Sequence, residues 1–351
     1  MNAPVSQAVI MVGGKGTRLK PLTDHRPKPL LPVLGVPCVE YVIRRLAASG
    51  VKEVIMACGY RSEDMVRSIG DGGRFGVTVE FSYEEEPAGT AGSVKLLEDR
   101  LQDSFLVASG DVLADVDLSD ICSTHRRTGA LATMALTRVD RPTEFGIVGL
   151  DDEGRIQRFL EKPAPEEVFS NLINAGIYIL DRKALEQVPV HQFFDFSRNL
   201  FPALMSRGER LQGHILQGYW KDIGRPADLL QANLDMAARQ ASDAWRSESF
   251  LAESQVDAAS FVLPGCRVLG SNVQSSVIEG DVVITDARVQ GSLLLSGSVV
   301  GRNACIKDSI IGMGCRIGDS VRITDCVIAD GVSVPDGEEM TSCRTGVEDE
   351  Q

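Results

Sequence analysis

The stretch Ala8-Val9-Ile10-Met11-Val12-Gly13-Gly14-Lys15-Gly16-Thr17-Arg18-Leu19-Lys20-Pro21-Leu22-Thr23, with Pro27-Lys28-Pro29 just behind it, decides how the first part of the chain is read. Ala8 to Val12 is an apolar run of strand length, and the glycines after it mark a turn. Gly13, Gly14 and Gly16 let backbone N–H groups approach an anionic or planar ligand without interference from a Cβ, while Arg18 and Lys28 bring positive charge to phosphates. A strand that delivers glycines and then cations suits a nucleoside triphosphate. The loop is not the G-x-x-x-x-G-K-[ST] pattern, and Leu19 stands where a dinucleotide fingerprint needs its third glycine.

Outward from this loop, short β-rich runs alternate with amphipathic stretches as far as about residue 240. Cys38 to Leu46 has helical spacing, Glu53 to Ala57 reads as a strand, and Glu63 to Ser68 as another helix, which makes two βαβ crossovers. Further strands are expected at Val77 to Phe81, Ser104 to Ala108, Leu131 to Leu136 and Ile177 to Leu180, with helices near Thr90 to Asp99 and Pro226 to Arg239. The pattern predicts an α/β domain with a mostly parallel sheet of six or more strands.

Past residue 255 the helical spacing disappears. Gly280, Gly297, Gly314 and Gly331 recur every 17 residues, and the same offset links Val283, Val300, Ile317 and Val334, then Val289, Ile306 and Ile323, then Leu294, Ile311 and Ile328. Apolar residues step by 6, 6 and 5 through Leu294, Val300, Ile306 and Ile311. Three flat faces per coil close a triangular prism in which one inward aliphatic per face stacks on its equivalent in the next coil. A parallel β-helix of about four coils is expected, since an antiparallel sandwich gives no reason for a fixed offset.

Composition bounds the rest. The 351 residues carry 36 Lys plus Arg against 49 Asp plus Glu, a formal charge of −13, which opposes nucleic-acid binding. The length suggests two domains. No run approaches the roughly 20 apolar residues of a membrane span, and Met1 to Val12 lacks a signal-peptide pattern, so a cytoplasmic location is expected with no membrane partner. The eight cysteines include no C-x-x-C pair and read as buried small apolar residues.

Six motifs then occur in a telling order. The Gly13 to Thr23 string with Pro27-Lys28-Pro29 resembles the signature loop of the sugar-1-phosphate nucleotidyltransferases. After it come Glu86-Pro87-Ala88-Gly89-Thr90-Ala91-Gly92, Ser109-Gly110-Asp111, Glu161-Lys162-Pro163 following Phe145-Gly146, Asn174-Ala175-Gly176-Ile177-Tyr178, and Trp220-Lys221-Asp222. Alone, Glu161-Lys162 would be a strand-end ion pair, Asp222 a helix cap and Asn174 a turn former. Together they match the family's base-reading segment, metal aspartates and sugar-phosphate segments.

The resemblance covers residues 8 to about 240 and implies a Rossmann-like, doubly wound sheet followed by a left-handed β-helix. The expected organisation is a catalytic domain over 1–240, a linker over 241–255, the β-helix over 256–340 and an acidic tail over 341–351. By resemblance, Gly13, Gly14, Gly16, Thr17, Arg18, Lys28, Glu86, Gly89, Thr90 and Asp111 would bind the nucleotide. Gly146, Glu161, Lys162 and Asn174 would meet the sugar phosphate, and Asp111 with Asp222 would hold Mg²⁺, for which oxygen ligands are suited. Arg18, Lys28, Asp111, Lys162 and Asp222 are the expected catalytic set.

A sugar 1-phosphate is already an anionic nucleophile, so no general base is sought. Anion repulsion and charge on the leaving pyrophosphate limit the step, and positioning with electrostatic stabilisation relieves both. A carboxylate at Glu86 only accepts hydrogen bonds, which suits the adjacent N1–H and N2–H₂ donors of guanine better than the single N3–H of uracil or thymine. The wording of Gly110 to Asp115 and Arg155 to Pro163 is most similar to the mannose-1-phosphate guanylyltransferase branch. Glucose-1-phosphate uridylyl or thymidylyl transfer is the alternative, and a catalytically silent sugar-nucleotide-binding regulator is the alternative of another class. The four histidines, His25, His125, His191 and His214, all precede the β-helix, which argues against acyl transfer there. A scaffold is expected instead, with homo-oligomerisation through the coils or capping of the catalytic domain burying Leu293 and Leu295.

Overall fold

The computed structural model describes residues 5–84, 86–240 and 249–346. Parts of the expected linker (241–248) and of the acidic tail (347–351) lie outside the described residues. The chain divides into two compact units, Met1–Gly14 with Cys38–Lys221, and Lys15–Pro37 with Asp222–Gln351. The signature loop from Lys15 onward is therefore grouped with the β-helix.

The first unit is built on a nine-stranded sheet. Its main path runs Ile156–Glu161, Gly146–Leu150, Leu172–Asp181, Ser104–Ser109, Gln7–Met11, Glu53–Cys58, Thr78–Tyr83, and Ala132–Arg138 with Leu211–Ile215 branches from Leu172–Asp181. The sheet is mixed. Pairing is parallel from Ser104–Ser109 through Gln7–Met11 and Glu53–Cys58 to Thr78–Tyr83, and antiparallel where Leu172–Asp181 meets its neighbours. Helices pack on it because their apolar residues recur every three or four positions: Cys38–Ala48 buries Cys38, Val39, Val42, Ile43 and Leu46. The core gathers Val9, Phe105, Val107, Met134, Tyr178, Phe196 and Phe201. Ser119–Thr128 forms a further helix, beyond those expected, that Gly129 ends in the left-handed region.

In the second unit, strands of two or three residues form three parallel sheets of six, six and five members. This is the three-faced ladder of a β-helix, as expected for the left-handed type, with more coils than the four anticipated. It also starts earlier, because Phe250–Ala252, inside the expected linker, and Gln255–Val256, at its end, already pair with Arg267–Leu269 and Asn272–Gln274. One inward column runs Val268, Ile284, Val300, Ile317, Val334, all nearly or wholly buried. Val283 is thus displaced from the column that the 17-residue offset implied. It pairs with Val299 and faces outward, since the corner Thr285 to Arg288 is one residue shorter than the corner Gly301 to Cys305.

Asp281, Asp286, Asn303, Asp308 and Asp325 turn corners with positive φ, which short polar side chains tolerate better than most. A column of serines satisfies the corner backbone: the N–H groups of Ser276, Ser292, Ser309 and Cys326 each donate to the hydroxyl of Ser260, Ser276, Ser292 and Ser309 one coil earlier. Pro226–Arg239, with its proline in the first turn, packs against the face containing Val277–Ile278. Leu293 and Leu295 are wholly buried within the chain. They therefore offer no exposed edge for stacking between subunits. Among the described residues no helix is long and apolar enough to cross a membrane. All eight cysteines are free thiols, six of them buried, as composition suggested.

Candidate active site

In the first unit, strands Gln7–Met11 and Ser104–Ser109 run parallel and end side by side. The Gly110 N–H donates to the Met11 carbonyl at 3.0 Å, and a Cβ on Gly110 would lie 2.6 Å from Val12 Cγ1. Only glycine lets Asp111 leave the sheet at this carboxyl edge, where open α/β sheets take their ligands. Gly13 faces Gly59 at the end of the neighbouring strand; a Cβ on Gly59 would sit 2.9 Å from the Gly13 carbonyl oxygen. Gly14 has open space around it.

The segment expected to read the base is held by residues that the sequence did not single out. Half-buried Glu84 accepts the Ala88 N–H at 3.0 Å, and burial raises its pKa. Burial, then the Glu84 charge, pushes the Cys58 thiol up to about 12. Gly89 has φ of 76°, and a Cβ there would meet the Phe194 carbonyl at 2.7 Å, so this glycine serves a close backbone approach. The N–H groups of Ala91 and Gly92 both donate to that carbonyl at 2.9 Å. The Thr90 hydroxyl donates to Asp195 at 2.8 Å and accepts the Phe196 N–H at 2.9 Å, which engages it inside the protein. Glu86 is exposed in the same turn.

Glu161 stands opposite Gly146 in an antiparallel pair, and a Cβ on Gly146 would lie 2.7 Å from Glu161 Oε2 and 2.7 Å from the Phe159 ring. The glycine makes room for the carboxylate, whose burial raises its pKa although Lys162 opposes the shift. Lys162 has φ of 51°, and its N–H donates to the Phe145 carbonyl at 3.0 Å. That conformation costs a non-glycine residue about 1–2 kcal/mol, and it turns the chain sharply after Glu161. Asn174 donates to the Tyr178 hydroxyl at 2.8 Å and the Ser197 hydroxyl at 3.2 Å, and accepts the Gly176 N–H at 2.9 Å. These bonds brace a bulge between Asn174 and Tyr178, and Trp220 Nε1 adds a bond to the Ala175 carbonyl at 2.9 Å. Both Asn174 N–H donors are thus used, leaving only acceptor capacity on its oxygen. No local sequence signal marks Ser197 or Asp195, because these residues meet Asn174 and Thr90 from far along the chain, and Glu84 is an ordinary polar residue whose bond to the Ala88 N–H depends on how the turn folds.

The second unit brings Gly16, Thr17, Arg18, Lys28 and Asp222 together. Gly16 has φ of 65°, and a Cβ there would lie 2.9 Å from Lys28 Cβ; the Thr23 hydroxyl donates to the Gly16 carbonyl at 3.0 Å. The loop therefore folds back so that its glycine touches its own lysine. Lys28 Nζ lies 3.9 Å from Asp222 Oδ1, and a Cβ on Gly224 would sit 2.8 Å from Asp222 Oδ2 and 3.5 Å from Arg18 Nη2. A carboxylate and two cations thus gather near Gly224, groups that suit phosphate oxygens and a hard cation together. Among the described residues no three His, Cys, Asp or Glu side chains cluster as a self-sufficient metal cage. Asp111 in the first unit and Asp222 in the second each offer carboxylate oxygens, the donor type that a hard cation takes alongside oxygens of substrate and water.

Of the remaining expected residues, Gly13, Gly14, Glu86, Gly89, Thr90, Asp111, Gly146, Glu161, Lys162 and Asn174 belong to the first unit. Gly13, Gly14, Glu86, Asp111 and Lys162 lie on the loops following strands Gln7–Met11, Thr78–Tyr83, Ser104–Ser109 and Ile156–Glu161, Gly89 and Thr90 open the helix Gly89–Lys95, and Gly146, Glu161 and Asn174 lie on the Gly146–Leu150, Ile156–Glu161 and Leu172–Asp181 strands.

A family model described as nucleotidyl transferase matches residues 7–239, and one described as GMPPB C-terminal domain matches residues 251–345. The chain is 36% identical over 297 residues to a Mycobacterium tuberculosis protein named mannose-1-phosphate guanylyltransferase, covering 82% of each. It is 35% identical over 271 residues to mannose-1-phosphate guanylyltransferase catalytic subunit beta of Drosophila pseudoobscura pseudoobscura, covering 75% of this chain and 72% of that one. A crystal structure of a Bacillus anthracis protein proposed to be a glucose-1-phosphate thymidylyltransferase, in complex with sucrose, superposes with a TM-score of 0.60. It shares 26% identity and covers 65% of this chain and 94% of the other.

Proposed function

The chain belongs to the nucleotidyl transferase family, and from that premise we propose that it transfers guanylate from GTP to mannose 1-phosphate, releasing GDP-mannose and pyrophosphate. The observation that carries this choice of substrates is the common name of relatives at 36% and 35% identity over most of the chain.

In this reading the sugar phosphate oxygen attacks the α-phosphorus of GTP and the α–β bridging oxygen leaves with pyrophosphate. Arg18 and Lys28 hold the triphosphate and the leaving charge; Lys162 binds the sugar phosphate. Their contribution is electrostatic, worth most where water is excluded. Glu161 and the acceptor side of Asn174 meet sugar hydroxyls, and once the sugar covers this half-buried pair an epimer is rejected by leaving a group unpaired. Glu86 accepts from guanine N1–H and N2–H₂. Asp111 and Asp222 would hold Mg²⁺, which when bound neutralises phosphate charge. Gly13, Gly14, Gly16 and Thr17 supply backbone donors near the phosphates, and Gly89 with Thr90 shapes the base loop.

The proposal includes a cytoplasmic homo-oligomer, in which Phe250 and Val299, exposed on one face of the β-helix, are the residues to cover; sedimentation of the purified protein tests the assembly. The test of function is pyrophosphate release with Mg²⁺ and each pairing of GTP, UTP, dTTP, ATP and CTP with mannose, glucose and N-acetylglucosamine 1-phosphates. Preference for GTP with mannose 1-phosphate supports the reading. Preference for UTP or dTTP with glucose 1-phosphate would favour the reading that the Bacillus anthracis likeness makes the alternative. Release from no pair would leave a sugar-nucleotide-binding regulator.

A further inference from the structure

We propose that the β-helix belongs to the nucleotide-binding apparatus, with Arg344, Asp330 and Glu279 acting as positioning residues for the loop that carries Arg18 and Lys28; this rests on the transfer reading above. Besides the Lys28–Asp222 approach, residues 15–37 are tied to later parts of the same unit through Arg344, Asp330, Glu279 and Asn233. Arg344 Nη1 donates to the carbonyls of both Arg18 and Lys20 at 3.2 Å, clasping the turn Thr17–Leu19. Arg26, two residues before Lys28, pairs with Asp330, whose other oxygen accepts the Met313 N–H at 2.8 Å. The Gly35 N–H donates to Glu279 at 3.2 Å, and the second oxygen of Glu279 accepts from the hydroxyl and N–H of Ser296. The Leu34 N–H donates to Asn233 at 2.8 Å.

The β-helix groups share one repeat position. Glu279, Ser296, Met313 and Asp330 each precede a corner glycine, 17 residues apart. The carboxylates at the two ends of this column reach the loop, while the two middle members donate to those carboxylates. A corner that only turned the coil would need neither carboxylate, and the Glu279 carboxylate is wholly buried. Both Arg26 and Asp330 are less than one-fifth exposed, so their pairing is little screened by solvent. The column is part of a stacked lattice, and a site carried on such a rigid element is held more accurately than one on an unsupported loop. Releasing Arg344 or Asp330 lets Arg18 and Lys28 drift from Asp222 and from the phosphates they would hold.

The test compares wild type with Arg344→Ala, Arg344→Lys and Asp330→Asn in steady-state pyrophosphate release, varying GTP and mannose 1-phosphate separately. Misplacement of the loop should lower kcat/KM for GTP by about tenfold or more, since small displacements are costly to oriented groups. The KM for mannose 1-phosphate should stay within about twofold, because the groups proposed to bind it lie in the other unit. Arg344→Lys should recover part of the loss, as an ammonium can still donate to a carbonyl. Amide hydrogen exchange at residues 17–31 should quicken in Arg344→Ala while Cys305–Lys307 stays protected. Wild-type kinetics with unchanged exchange at 17–31 would overturn the inference, and so would an equal loss for both substrates with no recovery in Arg344→Lys. If wild type releases pyrophosphate from no pair, the transfer reading fails, and exchange at 17–31 alone then decides whether these residues position the loop.

Discussion

The β-helix and the α/β sheet bury polar groups in opposite ways. In the β-helix one serine hydroxyl per coil accepts the N–H one coil later and one aliphatic stacks on its equivalent, so each contact has copies above and below. In the sheet, the bonds joining Asn174 to Tyr178 and Ser197, and Thr90 to Asp195, each occur once. Repetition spreads stability over many equivalent contacts; single arrangements give a surface its particular chemistry. The loop with Arg18 and Lys28 stands between these two cases, since its groups are unique but its anchors include corners of the repeat.

The largest effect should come from a unique charge. Lys28→Ala should lower turnover about 10²–10³-fold, the loss typical of one stabilising group at developing charge, with the melting temperature little changed. Steady-state pyrophosphate release checks it, and near-normal kcat would remove Lys28 from the catalytic set.

Next, Ile306→Ala opens a cavity in a fully buried column and should cost about 2–5 kcal/mol in urea unfolding. Hydrogen exchange should quicken mainly in the adjoining coils; a loss spread evenly into the α/β unit would break the contrast between local repeat and single network.

A smaller difference sets Asn174→Ala against Ser292→Ala. The first strands the buried Tyr178 hydroxyl and two half-buried partners, Ser197 and Gly176, and should cost about 1–3 kcal/mol, while the second removes one member of a column and should cost about 1 kcal/mol. Equal losses by denaturant titration would mean that uniqueness does not raise the stake.

The smallest is a displaced pH limb. Burial raises the Glu161 pKa above its ordinary value near 4.5, so as pH falls this group protonates earlier than an exposed glutamate. Acceptance from a sugar hydroxyl then weakens, and KM for mannose 1-phosphate should rise on an acid limb lying above the usual carboxylate range. Glu161→Gln should lack that limb.

Much of this architecture was legible in the residues. Pro226–Arg239 matches its expected helix, and the three aliphatic columns follow from recurring Val and Ile, because periodicity reports directly which side chains face inward. The Val283 displacement was not legible, since a corner shortened by one residue shifts the inward position without disturbing the glycine spacing. Nor were the roles of Glu84, Asp195 and Ser197, ordinary polar residues given meaning only by what lies opposite them.

The sequence by itself determined the α/β class, the repeat, the family and the charged groups available for phosphates, because spacing and residue type are local properties. Tertiary structure alone decided that Gly89 admits the Phe194 carbonyl, that Thr90 is spent on Asp195, and that Lys15–Pro37 groups with the β-helix. The ties of Arg26 to Asp330 and Arg344 to the Arg18 carbonyl cross more than 300 residues, and a hydrogen bond carries no record of sequence separation.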